Sequence, residues 1–564
     1  MAIAAGASNL FFNRDTKVFM GQSIGTPLII TAATLASDTL TTTIAHNLNS
    51  GDRVTLNTAG AAVLGGSAGV VGTLYYAVFV TATTFKLAAT YAAAIAGTPV
   101  VTATGTIVAN TTEFSAIDKT ITPTAVVISG GNLLTITASN SFSAGDVISI
   151  SGVTDAANLN INGVYQVAAS PTTTAFTITL PVGATNVTLP TPGTVKIVGT
   201  NLWEIPVLAG YSASQSTTTS EITLAEMTSA AGVSRRGRQM FNTAIAPTEW
   251  SFDTYVRPYK ASGDSKHYCV EEPLWANLIA KNGATQTAGT DGSTNTYNWA
   301  LGVTRTTTSN VFDFNSSNTV TLGTFDLYYV LGANRVTGTR TYSDGTDGGS
   351  TAIYKVSEAA INECSLAFDI EGISTVKWSG MGSALTELGS FDGSKAAYMG
   401  RDSTSNFIRN RLTAVTVVAA TPTNTTYTLT LTGGQITINN NISYLTPEVL
   451  GVINKPLGHI TGTRTISGNF SCYLDELTGG SIDLFQNIAE KGSTTVTNAN
   501  AVNFYIGGQG GTPSVQVTIP QAHFEVPAIN FDDVVSTEVN WHALPSTIAG
   551  TDEISQIVYK GNIL

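Results

Sequence analysis

The sequence predicts a mainly β protein: two tandem β-rich domains of sandwich or barrel type, each with one flanking helix, plus two small inserted β modules. Three observations carry this: period-two patterning with frequent turn signals, only two good helix candidates, and an internal repeat. Apolar and polar residues alternate through Thr426–Thr432, Gln435–Ile438 and Val515–Ile519, as half-buried strands require. The helix candidates are Pro273–Lys281 and Ser481–Lys491, each followed by a glycine, Gly283 and Gly492, as a stop.

The repeat emerges around those helices. Leu274, Trp275, Asn277 and Leu278 match Leu484, Phe485, Asn487 and Ile488 without a gap. Ahead of each helix, Phe252 and Tyr255 match Phe470 and Tyr473; after each comes a strand ending in tryptophan, Ser374–Trp378 and Thr537–Trp541. Further upstream, Asn9, Asn13, Arg14, Thr16 and Val18 match Asn406, Asn410, Arg411, Thr413 and Val415. Four blocks in one order mark a duplicated domain.

The duplication also exposes an insertion. In the second copy, strands near Arg411–Val418 and Thr426–Leu431 are joined by a short linker; their first-copy equivalents, Thr16–Gly21 and Leu202–Leu208, are separated by the whole of 28–198. An insertion at a hairpin tip costs little, because loop-closure entropy grows slowly with length. Two related modules are expected in it. Gly51-Asp52 precedes one strand and Gly145-Asp146 the other, followed by Tyr75-Tyr76 with Phe85, and by Tyr165 with Phe176, as core aromatics. The expected units are a first domain from 1–27 and 199–395, modules 28–110 and 111–198, and a second domain 396–564.

Composition narrows the function. The 564 residues are 43% hydrophobic and only 11% charged, against about 25% charged for a typical soluble domain. Low charge fits a surface covered by neighbours in an assembly. The net charge of −12 argues against a protein that grips nucleic acid, which needs clustered Lys and Arg. Cys269, Cys364 and Cys472 are scattered and odd in number, so they read as reduced core residues and not as a disulfide framework. No basic residue precedes Arg14, so no signal peptide is expected, and no apolar run is long enough to span a bilayer.

Catalytic patterns are missing. The five histidines, His46, His267, His459, His523 and His542, show no HxxxH or HExxH spacing, and each reads as a hydrogen-bonded structural residue. Gly507–Gly511 lacks the Lys-Ser/Thr ending of a phosphate loop and reads as a turn. Glu271-Glu272 and Asp532-Asp533, if on strands, would point to opposite faces. No enzyme, cofactor or metal is expected. The single basic cluster, Arg235, Arg236 and Arg238, lacks interleaved aromatics and reads as a subunit contact through guanidinium–carboxylate pairs.

Leu202–Leu224 and Arg235–Pro258 resemble the major tail tube proteins of tailed bacteriophages, and the resemblance continues through 357–380 and 442–475. It covers most of 1–27 and 199–564; the insert is similar to small β modules that decorate virion proteins. The resemblance implies a structural protein whose sheets join edge to edge into rings and whose rings stack into a tube for DNA passage. Six domains per ring would make three two-domain chains a pseudo-hexameric trimer. Implied partners are other copies of the chain, other tail proteins at the tube ends, and DNA passing without specific binding; no membrane is involved. The implied location is the virion tail, assembled in the host cytoplasm. Loops 216–246 and 439–462 would reach neighbouring subunits, placing Arg235, Arg236, Arg238, Leu445 and Pro447 at interfaces. An insert projecting outward would suit a non-contractile tail. Competing readings are a tail terminator, a baseplate hub, or a surface-layer or adhesin-type protein.

Overall fold

The computed structural model describes the chain from Thr16 to Ile563 apart from internal stretches, of which 181–194 and 223–238 are the longest. The Asn9–Asp15 part of the first repeat block lies outside the described residues. Strands dominate, as the alternation requires, and the described α-helices are Tyr91–Ala96, Glu272–Ile279 and Ser481–Thr494.

Each half of the protein is two packed layers. In the first half the back sheet places Lys17–Thr34 between Lys196–Ile205 and Phe325–Leu331. The front sheet runs Ser212–Ser214, Thr248–Tyr255, Thr375–Gly382 and then the far end of Ala352–Asp369. That last strand, 18 residues long, serves both layers, since its near end pairs with Phe325–Leu331. Glu358 turns it between layers at φ 51°, its N–H donating to Asp326 at 3.1 Å.

In the second half the front sheet runs Leu431–Asn439, Thr465–Tyr473, Ser536–Ala543 and Ala528–Asn530. Ala414–Ala419, Ala499–Ile506 and Ser514–Phe524 build its back sheet. One continuous core fills both halves, with Trp250, Phe252, Trp275 and Trp378 in the first and Phe470, Phe504 and Trp541 in the second. All three cysteines are buried and free within it.

The helices differ in detail from expectation. The first starts at Glu272, with Glu271 as its cap, so the Glu271-Glu272 pair opens a helix and does not sit on a strand. Every residue of that helix is buried. The second runs through Gly492 to Thr494, so this glycine is not its stop; Leu484 and Ile488 hold it on the core.

The strand pairs beside the helices also carry a correction. Phe252 faces Trp378, whereas Phe470 faces Val539 and Trp541 faces Gly468. With Phe252 and Phe470 equivalent, the two tryptophans are offset by two positions, which preserves the inward face. Trp250 in turn faces Gly380. Tryptophan and glycine have exchanged strands between the halves. A Cβ on Gly380 would lie 2.6 Å from the Trp250 ring, and one on Gly468 2.5 Å from the Trp541 ring. In both halves the glycine makes room for an indole lying across its strand.

The insert leaves between two paired strands, since Val18–Gly25 faces Gly199–Ile205, and Ala414–Ala419 pairs with Thr425–Thr428 in the second half. Its first core holds Leu28, Val54, Phe85 and Phe114, and its second Ile136, Phe142, Phe176 and Ile197. Gly51 and Gly145 take φ 92° and 89° in the matching turns, a conformation glycine adopts without strain. The second module is not a separate bead. Val147–Ser151 pairs with the start of Lys196–Ile205, and Gly163–Val164 lies parallel to Ser390–Phe391. A Cβ on Gly163 would meet the Ser390 carbonyl at 2.3 Å. Val164 closes a small core with Phe19, Leu202, Tyr328 and Phe391, where the Phe391 ring lies 4.8 Å from Phe19 and 5.0 Å from Tyr328. Phe391→Ala should therefore cost about 3–5 kcal/mol, lowering the midpoint of chemical denaturation and releasing the insert to protease before the rest of the chain.

Candidate assembly interface

The two front sheets meet inside one chain. The far end of Ala352–Asp369 pairs antiparallel with Leu431–Asn439 from Glu363↔Asn439 to Asp369↔Gly433. A last strand of the first half thus joins a first strand of the second, and one sheet runs through both. On the dry side, Phe368 crosses the joint: 4% exposed, its ring lies 5.8 Å from Phe504. A Cβ on Gly434 would come within 2.7 Å of that ring, so the glycine makes the seat for it.

The other side of the joint is polar. Gln435 Nε2 donates to Ser365 Oγ at 2.6 Å, Asn439 Nδ2 to Glu363 at 3.3 Å, and Asn469 Nδ2 to Glu538 at 2.6 Å. Register places Glu249, Asp253, Glu363 and Glu538 on this one face, with Lys377 standing opposite Asp253. The face is rich in Ser, Thr and Asn and is net negative among the described residues.

The sheet ends on two short strands. Ser212–Ser214 pairs with Thr248–Tyr255, and Ala528–Asn530 with Ser536–Ala543. Their outer edges have no strand partner among the described residues, a template for pairing with another chain.

Two hairpins, Thr217–Ile222 with Gln239–Ile245 and Ser443–Leu445 with Gly458–Ile460, follow the first strand of each front sheet. They touch: Ile245 N–H donates to the Asn454 carbonyl at 2.9 Å and Asn454 N–H to the Thr243 carbonyl at 3.2 Å. Their surface is apolar, with Phe241 and Leu445 exposed and Leu450 wholly so. Pro447 is exposed beside them. Arg235, Arg236 and Arg238 lie outside the described residues.

Behind the joint the C-terminal segment crosses back to the first half. Gln556–Lys560 pairs with Asn310–Asp313, and Asn562–Ile563 with Tyr259–Lys260. It closes over a buried polar cluster. Glu272 takes an ion pair from Arg305 and hydrogen bonds from Trp299 (2.7 Å) and Asn310 (2.7 Å). Gly561 N–H donates to His267 Nδ1 at 3.0 Å, and burial holds His267 below the usual histidine range. His46 also has a structural role, its Nδ1 accepting from Leu48 N–H at 2.9 Å. Among the described residues no three His, Cys, Asp or Glu side chains gather as a metal would need.

No family model matches the chain. Against curated proteins it is 29% identical over 364 residues to the tail tube protein pb6 of Escherichia phage T5, across 63% of this chain and 70% of that protein. This likeness supports a tail tube protein of a tailed phage. A tail tube protein is a structural component of the virion tail, and the terminator, hub and surface-layer readings are not favoured. No helix among the described residues is long and apolar enough to cross a membrane.

The cluster under the C-terminal segment has a pH signature. Burial pushes the Glu271 carboxyl up to about 7, against the pull of its own backbone N–H and of the Arg257 charge. A raised acid binds its proton more tightly in the folded state, so its contribution is complete below the unfolded value near 4.5 and is lost as pH rises through about 7. Relative to Glu271→Gln, the parent protein should lose on the order of 3 kcal/mol of stability across that window. Denaturant titrations at several pH values would read this as a slope present in the parent and absent from the variant.

Proposed function

We propose that three chains close into a ring, that such rings stack into the tail tube, and that DNA passes through the tube without a catalytic step. The observation that supports this is the joint inside the chain. An isolated chain carries one finished joint and two open edges, and repeating the same joint between chains consumes both edges. A heterologous contact of this kind builds a closed ring when its rotation closes. Two front sheets per chain and six per ring give three chains and a pseudo-hexamer.

In this reading the polar face of the front sheets lines the lumen. Duplex DNA carries a charge about every 1.7 Å of axis, so a basic wall would hold it. A wall of Ser, Thr and Asn with Glu249, Asp253, Glu363 and Glu538 lets it slide. The exposed hairpins, with Leu445 and Pro447 and the arginines Arg235, Arg236 and Arg238, contact neighbouring subunits and rings. The insert leaves from the back sheets, away from the polar face, and projects outside the tube. That position leaves no room for a contractile sheath, so the tail is of the non-contractile kind. Other tail proteins meet the tube at its two ends.

The joint fixes a register for ring closure. Ser365 faces Thr437, Leu366 faces Ile436 and Ala367 faces Gln435. Positions in the two halves are matched through Phe252 and Phe470 and the strand pairs beside them. Carried to the open edges, the same register sets Ala528 opposite Ser214, Ile529 opposite Ala213 and Asn530 opposite Ser212 of the next chain. Directly opposed residues of an antiparallel pair lie about 4.5–5.5 Å apart at Cα, within disulfide reach. A chain carrying Ser212→Cys and Asn530→Cys should, on oxidation of assembled tubes, give covalent species that end at three chains. The native cysteines are buried and give no background. A ladder ending at six chains, or no cross-link, would overturn the reading.

Where the insert can be cut follows from its pairing. Thr26 faces Ala116, so a two-residue Asn-Gly turn can replace 27–115, leaving the second module with its shared core. Tubes of normal length should form from this variant and look thinner in electron micrographs. Failure to polymerise while remaining folded would count against an outward, dispensable first module.

A further inference from the structure

We propose that Phe531 is the anchor by which one chain grips the next, its ring seating on the stacked Tyr211–Tyr329 pair of a second copy. This rests on the ring reading above and names the contact that would hold it.

Phe531 is 82% exposed, with Val534 at 57% beside it in one hollow. A hollow of about 890 Å³ opens there, lined by Thr432, Tyr473, Phe531, Asp533, Val534 and Ser536. An aromatic ring and a valine left in water together, next to an unpaired strand edge, mark a surface that another protein covers.

The occupant is read from the chain's own joint. Leu366 faces Val376, which is two residues before Trp378, the partner of Phe252. Ile529 faces Thr537, which is two residues before Val539, the partner of Phe470. Leu366 and Ile529 are therefore equivalent, and two residues further on so are Phe368 and Phe531. Phe368 is 4% exposed because the second half covers it, whereas Phe531 is 82% exposed because the half that would cover it belongs to another chain.

The seat follows from the same equivalence. Phe368 packs against Phe504 and over Gly434. Phe504 faces Val415 as Tyr329 faces Val18, and those valines are matched in the repeat. Gly434 faces Phe470. The residue in line with Phe252 on the first half's edge is Tyr211, one before Ser212, which faces Ser251. The two routes are independent, yet they land on side chains in contact: Tyr211 and Tyr329 are stacked, 6.0 Å between centroids at 23°. A tyrosine stands where the intrachain joint has a glycine, so Phe531 lies on the accessible face of Tyr211 as a third ring and does not slide beneath it.

Phe531→Ala and Tyr211→Ala test this, separately and together, with the Ser212→Cys and Asn530→Cys pair in each background. Phe531 is exposed in the single chain, so its loss should leave folding, followed by circular dichroism and melting, unchanged. Phe531→Ala should raise the protein concentration needed for assembly by roughly 10- to 100-fold, as loss of an interface anchor does. Phe531→Leu should recover part of it. The double variant should be no worse than the poorer single one, because both remove one contact. Assembly of Phe531→Ala at the parent's concentration, with the cysteine pair still giving covalent trimers, overturns the anchor and leaves the ring standing. Additive effects of the two alanines overturn the tyrosine seat. Absence of the trimer cross-link in assembled parent tubes overturns the ring reading, and the anchor with it.

Discussion

The antiparallel pairing between Glu363–Asp369 and Gly433–Asn439 is the constraint on which the molecule is arranged. It makes one sheet of two, with a single polar face and a single dry face. Everything on the dry side then has to close one core: both large helices, the indoles beside Gly380 and Gly468, and Phe368 across the seam. Because strand edges expose backbone donors and acceptors that attract other strands, a protein with a finished seam and two short open ends is already shaped for ordered polymerisation.

The C-terminal segment reinforces the seam from behind. Gln556–Lys560 pairs on one side with Ser514–Phe524 of its own half and on the other with Asn310–Asp313 of the first. Tyr559 packs its ring 5.5 Å from Phe312 and 6.3 Å from Trp275. The halves therefore share strands on both layers, and the buried carboxylates Glu271 and Glu272 lie where those layers converge. Burial of paired charge is weak evidence for net stability. What the cluster does is fix where the returning chain can lie, because a carboxylate surrounded by Arg305, Asn310 and Trp299 tolerates few alternatives.

Much of this was legible in the sequence. Alternation predicts the strands, Phe252 and Phe470 stand in similar strand pairs, and the strands at Thr16–Gly21 and Leu202–Leu208 do pair. The misreadings have physical causes. Gly492 reads as a helix stop, but a helix anchored by Leu484 and Ile488 tolerates one glycine. Nothing local marks Glu272 as a buried ion-pair partner, because Trp299, Arg305 and Asn310 come from chain 27 to 38 residues away. Nothing local to Gln556–Lys560 says that it crosses to the other half. An aromatic such as Phe531 in a strand-rich chain reads as core; only the contrast with buried Phe368 gives it meaning. Gly163 likewise says nothing until Ser390 is seen against it.

Strand Lys17–Thr34 runs unbroken from the back sheet, where Val18–Gly21 is flanked on both sides, into the first module, where Thr26–Ile30 is paired with Thr112–Ala116. Its hydrogen bonds lie across the strand direction. A pull on the module directed along this strand is resisted by all of those rungs together, in shear, and does not peel them one at a time. The module is thus tethered through its stiffest axis, and drag or adhesion acting on it is passed to the body of the protein as strain with little slack.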